Sequence, residues 1–189
     1  MTEIYISTDI ESDGPIPGQN SMLSFASAAF VNNKLADTFS ANLKQLPDAV
    51  MDKSTKEEFW DKNPEAWEAC RKDMQDPTKA IKSYIDWLKG LEKTYKAKVV
   101  FVGYPAGYDF TFVYWYLMKF GGYSPFSFSC IDMKTLAMAL MKKPFRDCTK
   151  RRMPKHWFDT SKKHTHVALD DAIEQGIMFC NMMKDLYKK

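Results

Sequence analysis

Asp9 and Glu11 sit two residues apart in the opening segment Thr2-Glu-Ile-Tyr-Ile-Ser-Thr-Asp-Ile-Glu-Ser-Asp-Gly14. Ile4, Ile6 and Ile10 alternate there with Tyr5, Ser7, Asp9 and Glu11. A period of two marks a strand and puts both carboxylates on one face. Like charges so placed repel each other. A hard divalent cation between them relieves the repulsion, and oxygen-only ligands select Mg²⁺ or Mn²⁺. The alternative is a strand end running into solvent, with Asp13-Gly14 as its turn.

Three further residues could join this chemistry. Asp109 follows the apolar run Lys98-Val-Val-Phe-Val-Gly103, a pattern typical of a buried parallel strand. Ligands gather at the carboxyl ends of such strands. Asp109 could equally serve a helix N-terminus through the dipole. Near the C-terminus, His166-Val-Ala-Leu-Asp-Asp171 opens a helical pattern, with Thr165 as a candidate cap. Asp170 shares a polar face with Glu174, Asn181 and Lys184, whereas Asp171 falls with Val167, Ala168 and Met178. A carboxylate on an apolar face needs a partner, and a metal would serve. His166 is placed to act as a base beside such a site, or is a surface residue.

The elements that must position these groups are legible in outline. Leu23 to Val31 and Lys34 to Leu43 read as strands, with Asn32-Asn33 as a two-residue hairpin turn. Ser54-x-x-Glu57 has the form of a capping box, and Asn63-Pro64 and Asp76-Pro77 those of helix starts. Ile81, Tyr84, Ile85, Leu88 and Leu91 recur at helical spacing. Phe59, Trp60 and Trp67 read as packing. Helices are expected over Tyr108–Phe120, Met133–Met141 and about His166–Tyr187, a strand over Ser127–Ile131, and a polar loop from Lys142 to about Thr165. The order predicts an α/β domain spanning 1–189, with a mixed five-stranded sheet flanked by helices.

Composition narrows the class. Of the 189 residues, 45% are hydrophobic and 27% charged, with a formal net charge of +3, as expected of an ordinary globular protein. The sequence lacks an apolar run long enough to span a membrane and a secretory leader pattern. Cys70, Cys130, Cys148 and Cys180 form no C-x-x-C pair, which argues against zinc and for a reducing, cytoplasmic location.

Asp9-x-Glu11, Asp109 after a strand, and His166 with four residues before Asp171 together resemble the DEDDh 3′→5′ exonuclease superfamily, which includes ribonuclease T and oligoribonuclease. The His-x-Ala-Leu-Asp-Asp-Ala block is the closest match, and Cys130-Ile-Asp132-x-Lys-Thr-Leu136 is similar to a further segment of these enzymes. Many relatives carry Asn shortly before the second-motif Asp. Here Gly103-Tyr-Pro-Ala-Gly-Tyr-Asp109 offers Pro105 or its neighbour instead, although Tyr108 supplies the expected aromatic.

The resemblance implies a ribonuclease H-like fold. It further implies two-metal hydrolysis of phosphodiester bonds, releasing nucleoside 5′-monophosphates. Asp9, Glu11, Asp109 and Asp171 would hold two Mg²⁺ ions, with Mn²⁺ able to substitute, and His166 would be the general base. The expected partner is single-stranded nucleic acid. RNA is favoured over DNA by analogy with free-standing RNA-processing relatives. A homodimer is expected by the same analogy, and a non-catalytic nucleic-acid-binding domain is the alternative of a different class. The segment from Arg146 to Lys163 is rich in cations, including Arg151 and Arg152, interleaved with Trp157 and Phe158. It could track a phosphate backbone and stack bases, or be a solvated loop with its aromatics tucked inward. Met22 and Leu23 are candidates to wedge against terminal bases, or are core residues.

Overall fold

The computed structural model describes residues 3–159 and 167–188. Five strands form one sheet in the order β3-β2-β1-β4-β5: β1 (Glu3–Ser12), β2 (Met22–Val31), β3 (Lys34–Asn42), β4 (Lys98–Gly103) and β5 (Cys130–Asp132). The first three run antiparallel, and β1-β4 and β4-β5 are parallel. Asn32 and Asn33 turn the β2-β3 hairpin with φ of 51° and 61°, left-handed values that Asn tolerates.

Six α-helices complete the described chain: α1 (Lys53–Glu58), α2 (Pro64–Cys70), α3 (Pro77–Tyr95), α4 (Ala106–Tyr116), α5 (Met133–Met141) and α6 (Ala168–Leu186). Alternation along β1 divides the core. Ile4, Ile6 and Ile10 pack with α3 and α4, in a cluster holding Phe25, Tyr84 and Phe112. Tyr5 points the other way, onto Phe179 of α6, with ring centroids 4.8 Å apart. Ala26, Ala28 and Phe30 of β2 face α6 as well. Small residues let this helix lie close: a Cβ on Gly176 would stand 2.0 Å from the Phe30 ring.

Several boundaries differ from the sequence reading for identifiable reasons. Asp52, not Ser54, caps α1, and its carboxylate accepts from the Thr55 amide at 2.7 Å. Asn63 makes no side-chain cap, whereas Asp76 accepts from Thr78 and Lys79 as expected. The strand predicted from Ser127 starts only at Cys130, because Ser124 to Ser127 closes a turn with Ser127 at φ 57°. The aromatic helix gives way to a π-helical turn over Leu117–Gly121. The predicted basic loop contains three 3₁₀ turns, at Phe145–Asp147, Lys150–Arg152 and Lys155–Trp157. Among the described residues, no helix is long and apolar enough to cross a membrane, and all four cysteines are free.

Candidate active site

The parallel pairing of β1 with β4 ends at Ser7 and Val102. Beyond that point β4 turns through Tyr104 and Pro105 into α4, while β1 runs on. A cleft of about 480 Å³ opens where the two part. Asp9, Glu11, Asp109 and Asp171 all line it. Asp9 and Glu11 lie opposite Ala26 and Ser24 of β2, on the face that α6 covers. Asp171, in the first turn of α6, is buried against them. Ligand oxygens of Asp9, Glu11 and Asp171 lie within 4.8 Å of one another. Asp109 closes the cleft from α4. It is 5% exposed, accepts from the backbone N–H of Ile10 and feels the charge of Asp9.

Concentrating carboxylates in a partly dry cleft disfavours their ionisation. Burial, then repulsion from Asp9 and Asp171, pushes Glu11 up to about 9. Burial and the charge of Asp171 raise Asp9, while a hydrogen bond from Gln175 and the charge of Lys150 pull it back. Asp109 is raised by burial and by Asp9. Sites with such carboxylates at one point suit a divalent cation, which would restore the charged forms. The surroundings fit that reading. Gln175 donates from Nε2 to Asp9 Oδ1 at 2.8 Å. Its Oε1 is buried and finds no hydrogen-bond donor among the described residues. A hydrated cation beside Asp9 would supply the donor.

Other predicted residues scatter. Tyr108 lines the cleft, its hydroxyl 2.6 Å from Ser12 Oγ. Met22 and Leu23 are fully buried, Met22 in the main core and Leu23 against Trp60; they are packing residues and do not reach the cleft. Trp157, 2% exposed, is likewise a core residue whose indole donates to Asp185 at 2.7 Å. Arg151 and Arg152 are exposed, with Arg152 paired to Asp147. His166 and Thr165 lie outside the described residues.

Phe59, Tyr104, Lys150 and Gln175 line the cleft without having been singled out. Gln175 was the findable one, standing one helical turn beyond Asp171 on the same face. Phe59 resembles its packing neighbour Trp60 too closely to be told apart by type. Trp60 is buried and donates to the Ser12 carbonyl at 3.0 Å, which fixes the end of β1.

No protein-family model matches the chain. The 3′→5′ DNA exonuclease Cap18 of Escherichia coli is 30% identical over 183 residues, covering 94% of this chain and 90% of that protein. Among solved structures, the nuclease domain of 3′hExo, a DEDDh family member bound to rAMP, gives a TM-score of 0.69 at 14% identity, covering 97% of this chain and 92% of that one. Escherichia coli exonuclease I with single-stranded DNA gives 0.61 at 13% identity, covering 98% of this chain and 41% of that one.

Proposed function

The chain belongs to the DEDDh 3′→5′ exonucleases, and from that premise we propose that it removes nucleotides from the 3′ end of single-stranded DNA. The observation that carries the reading is the approach of Asp9, Glu11 and Asp171 within 4.8 Å, in a cleft that Asp109 also lines. DNA is preferred to the RNA expected from the domain layout because a relative similar over nearly the whole chain is named for DNA.

Two divalent ions, Mg²⁺ or Mn²⁺, held by Asp9, Glu11, Asp109 and Asp171, would act as Lewis acids toward the attacking and leaving oxygens. The protein's own groups do the rest. Gln175 holds Asp9 in one orientation through their 2.8 Å hydrogen bond. Ile10 does the same for Asp109 through its amide. Phe59 and Tyr108 offer aromatic surface at the cleft edge, suited to the sugar and base of the terminal nucleotide. His166, just before α6, takes a proton from water as the water oxygen bonds to phosphorus. The bond from phosphorus to the 3′ oxygen of the remaining strand breaks, that oxygen leaves with a proton, and a nucleoside 5′-monophosphate is released.

The test uses 5′-labelled single-stranded DNA and RNA of matched sequence, with Mg²⁺, Mn²⁺ or chelator. A metal-dependent ladder shortening from the 3′ end, absent in Asp109→Ala and Asp171→Ala proteins that still melt cooperatively, is expected. DNA should be degraded faster. Faster loss of RNA would reverse the substrate assignment. Activity retained in either variant would remove that residue from the site.

A further inference from the structure

The cleft presents four carboxylates and, among the described residues lining it, a single cationic side chain, Lys150. Its place is built rather than incidental. Tyr104, the residue after β4, donates its hydroxyl to the Cys148 carbonyl at 3.1 Å and accepts from the Lys150 backbone N–H. Cys148 is fully buried, and Met153 is anchored in the same core cluster beyond Lys150. The 3₁₀ turn carrying Lys150 is thus pinned on both sides. Its ammonium lies 5.6 Å from the Tyr104 ring centroid, a cation–π distance. It is ion-paired with none of the described carboxylates. Its charge is nevertheless felt at Asp9. The neighbouring Arg151 and Arg152 point to solvent.

Charge explains why a cation belongs there. Two divalent ions would just neutralise four carboxylates, leaving nothing for the substrate. A phosphodiester brings one negative charge and gains a second as the nucleophile adds. Resting on the exonuclease reading above, we propose that Lys150 is a catalytic residue whose ammonium contacts a non-bridging oxygen of the phosphate being cleaved. It is positioned for this by Tyr104. A donor aimed at charge that grows in the transition state raises turnover more than ground-state binding.

Lys150→Met keeps the length and loses the charge, while Lys150→Arg keeps the charge. Turnover of single-stranded DNA by Lys150→Met should fall by about 30-fold or more with KM within about threefold, and Lys150→Arg should recover to within about fivefold of wild type. Melting temperatures should match wild type. Calorimetric titration with deoxyadenosine 5′-monophosphate in Mn²⁺ should show about tenfold weaker binding to Lys150→Met, with deoxyadenosine unaffected. A kcat within twofold of wild type would overturn the assignment, as would a rise in KM alone, which would make Lys150 a strand-tracking contact. Should wild type cleave neither strand, the exonuclease reading fails separately and the monophosphate titration decides for Lys150. Weaker binding to the variant keeps it as a phosphate ligand; equal binding, or none, ends the proposal.

Discussion

Glu11→Gln should destroy cleavage and at the same time make the metal-free protein more stable. Glu11 has its ligand oxygen within 4.8 Å of those of Asp9 and Asp171. Two unit charges at that spacing repel by about 3.5 kcal/mol at an effective dielectric of about 20. The folded protein avoids part of this by keeping a proton on Glu11 up to about pH 9, against an ordinary value of 4.5. Between those limits the native state binds more protons than the unfolded state, so stability falls as pH rises. At pH 8 the cost is bounded at about 5 kcal/mol, taking about 1.4 kcal/mol for each pH unit. Water reaching the half-buried carboxylate reduces this to about 2–3 kcal/mol. Gln carries no such cost, so the variant in chelator at pH 8 should melt about 5–10 °C above wild type. At pH 5 the gap should shrink to about 1 kcal/mol or less. Adding Mn²⁺ should reverse the order, because the variant has lost a ligand. The assay is thermal unfolding of both proteins at the two pH values, with and without the ion. A variant melting at or below wild type in chelator at pH 8, or a gap that persists at pH 5, would refute the reasoning.

Other substitutions probe the supports of the cleft. Asp132 accepts from Ala106 N at 2.9 Å and from Thr135 N and Oγ1 at 2.7 Å each, tying the start of α4 to that of α5. Asp132→Ala should cost about 1–2 kcal/mol in urea unfolding and slow cleavage about tenfold, since Asp109 lies within the released turn. Gly176→Ala must displace the Phe30 ring or lift α6; a loss of about 2–3 kcal/mol and weaker Mn²⁺ binding by calorimetry are expected. Tyr84→Phe breaks a buried relay in which its hydroxyl meets Ser27 Oγ at 2.7 Å and Ser27 meets Thr8 Oγ1 at 2.7 Å. It should cost about 1–2 kcal/mol while leaving turnover within twofold.

How far each part was legible depended on whether its signal was periodic. The alternation along β1 placed Asp9 and Glu11 on the correct face, and the 3.6-residue pattern of the last helix separated buried Asp171 from exposed Asp170. The sheet followed from element order. What was missed or left open was aperiodic. Three-residue 3₁₀ turns carry no face preference, so nothing distinguished Lys150, which enters the cleft, from Arg151 and Arg152, which do not. Met22 and Leu23 read equally as base wedges or core residues because they follow a motif, but both begin β2, an interior strand buried along its whole length. Trp157 sat in a charged stretch that left base stacking and inward packing both open; burying its ring against α6 anchors that stretch.

Asp9 and Glu11 lie far from Asp171 in the sequence, yet Asp9 accepts a hydrogen bond from Gln175 of the same helix as Asp171. During synthesis the β1-β2-β3 meander emerges before α6, and β1 and β2 present Tyr5, Ala26, Ala28 and Phe30 on a face that, among the described residues, α6 covers. Until that helix leaves the ribosome, the growing polypeptide has an apolar side in want of a partner and no Asp171 to complete the carboxylate cluster. On the proposed assignment, a copy without α6 would lack Asp171 and with it the complete carboxylate cluster, so the site would form only when that helix docks.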